Sequence, residues 1–241
     1  MSRGNVVVTG ADRGLGLAIA CQLAEMDWRV FAGQFKPDWP ELPEAENRLE
    51  GLTVVPMDVQ SLESVTDSVE RVGADVEAID VLINNAGVNS LSRTQTIRDG
   101  LDYDEMHRLY DTNSCGPLRA VEAFLPLMES SEMKRLCFVS SEAGSITKAR
   151  RDAWYPYVMS KAALNMGVRI LHNDLRDKGY TFRLYHPGGI RSYIGGTDVK
   201  GTKSANEPEE AAIPAIDYFL GDVPDEDALV MRDHKGEDWP W

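Results

Sequence analysis

The sequence has few cysteines and no long hydrophobic run, and both shortages limit what the protein can be. Its three cysteines, Cys21, Cys115 and Cys137, follow no CxxC spacing, so we expect neither a disulfide framework nor a zinc site. No stretch approaches the roughly 20 apolar residues that a membrane-spanning helix needs. The start of the chain lacks the charged segment and apolar run of a secretory signal. We therefore predict a cytoplasmic protein.

Basic residues are outnumbered, which restricts the partners to be considered. The chain has 25 lysines and arginines against 39 aspartates and glutamates, a net charge of −14. Nucleic acids and anionic membranes attract basic patches, so we expect neither as a partner. The four histidines show no ligand spacing, and we expect no metal. A chain of 241 residues is long enough to bury a sizeable core.

Strand-like and helix-like segments alternate along the chain. Short apolar or β-branched runs predict strands at residues 5–9, 29–34, 53–57, 79–83, 135–141, 181–185 and 228–231. Helical patterns follow Gly14 and Pro156 and cover residues 61–72, 100–128 and 207–220. This alternation predicts an α/β fold, doubly wound, whose mostly parallel sheet has seven strands and helices on both faces. No linker separates two cores, so we predict one domain over residues 1–241.

A glycine-rich turn joins the first predicted strand to the first helix. Gly10, Gly14 and Gly16 lie between the strand and a helical pattern of apolar residues. Glycine permits a tight turn and close approach of the backbone, and a new helix N-terminus offers N–H groups to a phosphate. In this position the turn indicates a dinucleotide-binding site.

Tyr157 and Lys161 are four residues apart on a predicted helix that begins near Pro156. Positions four apart share one face of a helix. An ammonium group near a phenol favours the phenolate and lowers the phenol pKa, so the sequence predicts a lowered pKa for Tyr157. Such a tyrosine can exchange a proton with an alcohol or carbonyl oxygen, although the pair alone could be a coincidence on an exposed helix face.

These motifs, in this order, resemble the short-chain dehydrogenase/reductase family, a single-domain Rossmann fold, over essentially the whole chain. Residues 9–16 resemble its TGxxxGxG turn, residues 84–87 are its NNAG motif, and Tyr157 with Lys161 is its YxxxK pair. Residues 233–241 also resemble the end of the C-factor/sniffer-like branch. The resemblance implies an NAD(P)-dependent oxidoreductase that transfers hydride between its cofactor and a carbonyl compound or secondary alcohol.

The resemblance implies catalytic roles for four residues. Tyr157 would be the general acid and base, and Lys161 would lower its pKa and hold the nicotinamide ribose. Ser141 would hydrogen-bond the substrate oxygen, with Ser140 as the alternative. Asn113 would support a water relay to Lys161, or it could only satisfy local backbone groups.

The resemblance also implies which residues contact the cofactor. They are Gly10, Arg13, Gly14, Leu15, Gly16, Gln34, Asp58, Val59, Asn85, Ala86, Gly87, Tyr157, Lys161, Pro187, Gly188 and Ile190. NAD-dependent members usually end the second strand with Asp, where this chain has Gln34, and Arg13 occupies a position that is often basic in NADP-preferring members. A guanidinium suits a 2′-phosphate, so we expect NADP, with NAD as the alternative.

Three further expectations concern the substrate and partners. The loop at residues 142–156 carries Lys148, Arg150 and Arg151, which either favour an anionic substrate or are solvated surface charges. Residues 188–206 are glycine-rich and resemble the family's substrate lid. Family members dimerise through the helices that hold Asn113 and Tyr157, so a homodimer or homotetramer is expected.

A nucleotide-binding signalling or regulatory protein with incidental turnover is the second functional hypothesis.

Overall fold

Eight strands form one sheet in the computed structural model, which describes residues 2–192, 194 and 206–241. The strands are β1 (Asn5–Val8), β2 (Arg29–Gln34), β3 (Leu52–Pro56), β4 (Val81–Asn84), β5 (Arg135–Val139), β6 (Thr181–His186), β7 (Met231–Asp233) and β8 (Asp238–Trp239). Their spatial order is β3-β2-β1-β4-β5-β6-β7-β8, and only the pairing of β7 with β8 is antiparallel. The doubly wound, mostly parallel sheet predicted from the sequence is confirmed, with one more strand than predicted.

Helices cover both faces of the sheet. They are α1 (Gly14–Glu25), α2 (Glu41–Arg48), α3 (Leu62–Asp75), α4 (Tyr103–Tyr110), α5 (Gly116–Glu129), α6 (Tyr155–Leu175) and α7 (Pro208–Leu220). One apolar core lies under α1, α2 and α7, and a second lies under α3, α5 and α6. Strands buried from both sides read as continuous apolar runs, which explains why β1 and β4 were recognisable.

Strand order reverses between β1 and β4, because the chain leaves β1 toward β2 and β3 and then returns to the other side. In open sheets of this kind, ligands bind in the crevice outside the carboxyl ends of the strands at the reversal. The glycine turn follows β1 and the segment 84–87 begins at the end of β4. The topology therefore brings these two motifs together.

Several predicted boundaries were wrong. The helical pattern at 100–128 is divided into α4 and α5 by a π-helical turn at Asp111–Cys115. The fifth strand ends at Val139, because Ser140 and Ser141 turn into a short 3₁₀ segment. The last parallel strand is Met231–Asp233 rather than 228–231, and β8 was not predicted because two residues carry no readable periodicity.

Neither edge of the sheet offers a long row of backbone donors. At one edge, β3 ends in Pro56, which has no backbone N–H to donate. At the other edge, β8 consists of two residues. Among the described residues, no helix is long and apolar enough to cross a membrane. Most of the predicted lid at 188–206, namely residues 193 and 195–205, lies outside the described residues.

Candidate active site

The glycine turn is held in a conformation that side chains would obstruct. Gly10 and Gly14 have φ values of 64° and 59°, in the left-handed region that favours glycine. A Cβ on Gly16 would lie 2.3 Å from the Gly10 carbonyl oxygen and 2.4 Å from Asn85 Nδ2. Leu15 is buried next to them and anchors the first turn of α1 in the core. The turn therefore exposes backbone to the crevice while α1 packs tightly behind it.

The segment after β4 is bonded directly to this turn. Asn85 Nδ2 donates to the carbonyl oxygens of Thr9 at 3.0 Å and Gly10 at 2.9 Å. Thr9 Oγ1 accepts from the backbone N–H groups of Asn85 and Ala86 at 3.1 and 3.0 Å. Gly10 leaves no room for a Cβ, which would lie 2.7 Å from the Ala86 Cα. The two motifs form one rigid wall of the crevice.

The N-terminus of α1 suits an anion. Its N-cap residue is Arg13, whose side chain has no acceptor for the first N–H groups of the helix, and the first turn has no acidic residue. These N–H groups and the helix dipole can bind a phosphate. The glycine cradle and this helix end together fit a dinucleotide pyrophosphate.

The end of β2 offers amide and guanidinium groups rather than a free carboxylate. The nearby carboxylate of Asp12 accepts from the backbone N–H groups of Phe35 at 3.0 Å and Lys36 at 2.7 Å, so it is already engaged. The Nε2 of Gln34 is buried and has no hydrogen-bond partner among the described residues. The Arg13 guanidinium lies 4.2 Å from the ring centroid of Trp39. This surrounding fits a phosphate on the adenosine ribose better than a bare 2′-hydroxyl.

Other predicted cofactor residues occupy the same rim. Asp58 lies two residues after β3 and accepts from Gln60 N–H at 2.9 Å, and Val59 packs against Gly116 at the start of α5. On the far side of the crevice, Pro187 and Gly188 follow β6. Gly188 has a φ of 74°, and Ile190 forms an isolated bridge with Asn206.

Tyr157 lies in the first turns of α6 and is 7% exposed. Burial raises its pKa above the usual value of 10.0, against the opposing effects of a side-chain hydrogen bond with Ser141 and the positive charges of Arg93 and Arg151. The predicted lowering of the pKa was therefore wrong for this structure. Helix-face spacing accounts for a nearby charge, but it does not include the cost of burying a phenolate.

Lys161 is 4% exposed, and its Nζ lies 5.9 Å from the Tyr157 ring centroid. The ammonium donates to the carbonyl oxygen of Val139 at 3.0 Å, so β5 fixes its position. Burial lowers the pKa of Lys161 from 10.5 to about 8. A buried cation thus lies on the same side of α6 as the Tyr157 ring, as the spacing predicted.

Asn113 is fully buried in the π-helical turn, a geometry that occurs often at functional sites. Its Oδ1 accepts from Val88 N–H at 2.8 Å, and its Nδ2 donates to Val88 O at 2.9 Å and Ser160 Oγ at 3.0 Å. The side chain therefore ties the segment after β4 to α6, one residue before Lys161. The water relay stays a prediction.

The structure separates the two candidate serines. The Ser140 hydroxyl is buried and donates to Asn165 Oδ1 at 2.6 Å, which fixes it to the middle of α6. The Ser141 hydroxyl accepts from Ala143 N–H at 3.1 Å and is close enough to Tyr157 to lower the pKa of its phenol. Ser141 and Tyr157 can both approach one substrate oxygen.

Sequence reasoning missed Trp154. Its indole ring stacks on the Tyr157 ring with centroids 4.7 Å apart and an interplanar angle of 16°. Its Nε1 donates to Asn89 Oδ1 at 3.0 Å. The position three residues before Tyr157 was a signal for proximity, but the stacking depends on the left-handed backbone of Trp154, which no spacing rule predicts.

The chain as a whole is similar to several known proteins. The family model described as short chain dehydrogenase matches residues 4–203. The chain is 37% identical over 169 residues to C-signal of Myxococcus xanthus, covering 68% of this chain and 93% of that protein. It is 35% identical over 212 residues to 1-hydroxy-2-glutathionyl-2-methyl-3-butene dehydrogenase of Rhodococcus, covering 88% of each. The NADPH-bound carbonyl reductase from chicken fatty liver is 27% identical, with a TM-score of 0.86 over 100% of both chains.

Proposed function

This chain belongs to the short-chain dehydrogenase family of NAD(P)-dependent oxidoreductases, and we propose that it reduces a carbonyl compound with NADPH. The observation that carries the proposal is the buried Tyr157 phenol, with Ser141 close enough to lower its pKa and the Lys161 ammonium on its side of α6. When bound, the nicotinamide supplies the hydride for this chemistry.

Each residue of the constellation has a definite task in this proposal. Tyr157 donates the proton of its hydroxyl to the substrate oxygen as charge develops there. Ser141 donates a hydrogen bond to the same oxygen and so stabilises that charge. Lys161 supplies a positive charge near the Tyr157 ring. This charge lowers the free energy of the phenolate that remains after proton transfer.

The direction of the pKa shift keeps Tyr157 in its proton-donating form at neutral pH. Because burial raises the pKa of Tyr157, the phenol stays protonated and ready to donate. In the reverse direction the phenolate would have to form first. The protonated phenol is the form that acid catalysis of carbonyl reduction requires.

NADPH is the proposed cofactor because of the surroundings of Gln34. The Asp12 carboxylate is engaged by backbone N–H groups, and the Arg13 guanidinium lies at the same end of β2. The chicken carbonyl reductase is described as NADPH-bound, which supports the same choice. NADH remains the comparison in every assay.

The direct test is turnover of a panel of aldehydes and ketones, followed by nicotinamide absorbance with NADPH and NADH. We expect NADPH to be preferred and Tyr157→Phe to lose roughly 10²-fold or more of kcat while still binding NADPH. Tyr155→Phe, two residues earlier in α6, is the matched control and should keep its activity. Turnover of Tyr157→Phe at the wild-type rate would refute the proposal.

The second functional hypothesis, a regulatory nucleotide-binding protein, has no observation that favours it over the enzyme. Lys161 could hold a nucleotide ribose in either case, but a protein that only binds a nucleotide has no need for a buried tyrosine beside that lysine. Tight NADPH binding without turnover of any carbonyl in the panel would support this second hypothesis.

We further propose a homo-oligomer in the cytoplasm, formed through α5 and α6. Met159, Met166 and Ile170 are more than half exposed and recur at helical spacing on α6, and Leu118 on α5 is also exposed. A second copy of the chain would bury this apolar face. Light scattering should give a dimer or tetramer, and Met166→Glu should weaken it, whereas Lys178→Glu outside that face should not.

A further inference from the structure

Trp154 is held in a strained position at the mouth of the site. It has a φ of 72°, in the left-handed region that large side chains rarely adopt, and it is the N-cap residue of α6. Strain of this kind persists only where the surroundings impose it, and it concentrates at functional sites. Here the indole is fixed by its hydrogen bond to Asn89 and by its stack on Tyr157. The ring is therefore a built surface next to the reacting group.

Two arginines from separate loops converge on this ring. Arg93 comes from the loop after β4, and its guanidinium carbon lies 5.5 Å from a Trp154 ring centroid. Arg151 comes from the loop before α6, and its guanidinium carbon lies 5.3 Å away. The Trp154 ring therefore links both arginines to the reacting tyrosine: one stack joins Trp154 to Tyr157, and each guanidinium lies against Trp154.

The charge of this cluster is only partly neutralised. Arg151 forms an ion pair with Glu142. Arg93 is exposed and has no carboxylate within ion-pair distance among the described residues. In a protein of net charge −14, two guanidinium groups against one carboxylate make an unusual positive site. Both arginines are close enough to favour the charged form of Tyr157.

We propose that Arg93 and Arg151, spread over the Trp154 ring, bind a carboxylate carried by the carbonyl substrate. Guanidinium groups match the geometry of a carboxylate, and the Trp154 ring holds both of them near Tyr157. The carboxylate would lie about one aromatic ring, or a chain of similar length, from the carbonyl. This inference rests on the proposed reductase function and names its substrate class.

Of the three basic residues in the loop at residues 142–156, Arg151 is the one with a described contact to Trp154. Arg150 hydrogen-bonds the neighbouring Ala149 carbonyl oxygen at 2.7 Å, and Lys148 is exposed. Neither has a described contact with Trp154, unlike Arg151. Arg150 is therefore a control for Arg151, with the same charge one residue away. Arg98, five residues after Arg93, is the corresponding control for Arg93.

The test compares 4-formylbenzoate with its neutral methyl ester in kcat/KM measurements with NADPH. The wild type should prefer the carboxylate by about tenfold at low ionic strength, with the preference falling as salt is added. Arg93→Gln and Arg151→Gln should each lower the preference about threefold, and the double variant should bring it close to one. Arg98→Gln and Arg150→Gln should keep it within about twofold.

Outcomes for the inference and for the enzyme function are distinguishable. If the ester is reduced through Tyr157 but the wild type shows no preference for the carboxylate, the inference fails and the reductase stands. A preference that Arg98→Gln lowers as much as Arg93→Gln would also overturn it. If neither aldehyde turns over, calorimetric binding of 4-hydroxymethylbenzoate and its methyl ester to the NADPH complex decides the question, and equal affinities refute the site.

Discussion

Replacing Lys161 with methionine should abolish turnover while making the protein more stable. The lysine is 4% exposed, and burial lowers its pKa from 10.5 to about 8. At 1.36 kcal/mol for each pKa unit, the buried charge costs about 3 kcal/mol of folding free energy. Methionine has a similar length and no charge, so it removes this cost.

One loss opposes the gain. The variant leaves the Val139 carbonyl oxygen without the hydrogen bond that Lys161 donates at 3.0 Å, a loss of about 1 kcal/mol. We therefore expect Lys161→Met to raise the free energy of unfolding by about 2 kcal/mol near pH 7, measured by urea denaturation. Lys148→Met changes an exposed lysine and should stay within about 0.5 kcal/mol of the wild type.

The stability that Lys161→Met gains over the wild type must also decrease as the pH rises. Below pH about 8 both the folded and the unfolded wild type carry the Lys161 proton, so the difference between the two proteins is constant. Between the folded pKa of about 8 and the unfolded value of 10.5, only the unfolded wild type keeps the proton, and its stability rises with pH. The advantage of Lys161→Met should therefore shrink across this range. A variant that is less stable at pH 7, or a difference independent of pH, would refute the reasoning.

Three further predictions address the reaction, the fold and the cofactor site. In reduction, kcat/KM should be level below pH about 8 and should decline above it as Lys161 loses its proton, because the raised pKa of Tyr157 keeps the phenol protonated. Glu226→Gln should destabilise the protein by about 2 kcal/mol in urea denaturation, because Arg183 is 1% exposed and loses its charged partner. Gly16→Ala should abolish NADPH binding, measured by fluorescence titration, because its Cβ has no room in the glycine turn.

Control variants distinguish these specific losses of stability and cofactor binding from a general loss of stability. Glu237→Gln changes an exposed glutamate that has no ion pair among the described residues, so its stability should not change. Gly73→Ala places a Cβ in α3 at least 3.5 Å from its neighbours and should stabilise that helix by roughly 0.5 kcal/mol or more. A reduction rate that increases above pH 8, an unchanged Glu226→Gln midpoint, or tight NADPH binding by Gly16→Ala would contradict the respective prediction.

The parts of the fold that could be predicted depend on local sequence. The glycine turn was recognisable because its strand, glycines and helix are contiguous, and the mostly parallel sheet followed from the alternation of strands and helices. The π-helical turn at Asp111–Cys115 was not predicted, since its extra backbone residue leaves no trace in helical periodicity. Edge strand β8 forms because β7 is available to pair with it, and this depends on the folded chain rather than on two residues.

The candidate site also has some features that local sequence predicts and others that depend on the folded chain. Tyr157 and Lys161 share a helix face because their spacing demands it, and this prediction needed no tertiary information. The direction of the Tyr157 pKa shift was wrong because burial depends on the segments packed around α6. Arg93 and Trp154 are 61 positions apart in the numbering and meet only through the fold, so their contact was beyond any pattern in the sequence.

The edges of the sheet have a consequence for handling the protein at high concentration. A long, regular outer strand can recruit a strand from another molecule and start an aggregate. Here Pro56 ends the row of donors at one border, and the two residues of β8 offer few backbone groups at the other. Self-association through added strands is thus discouraged at both borders. Refolding and crystallisation should therefore be limited by the apolar helical faces rather than by β-type precipitation.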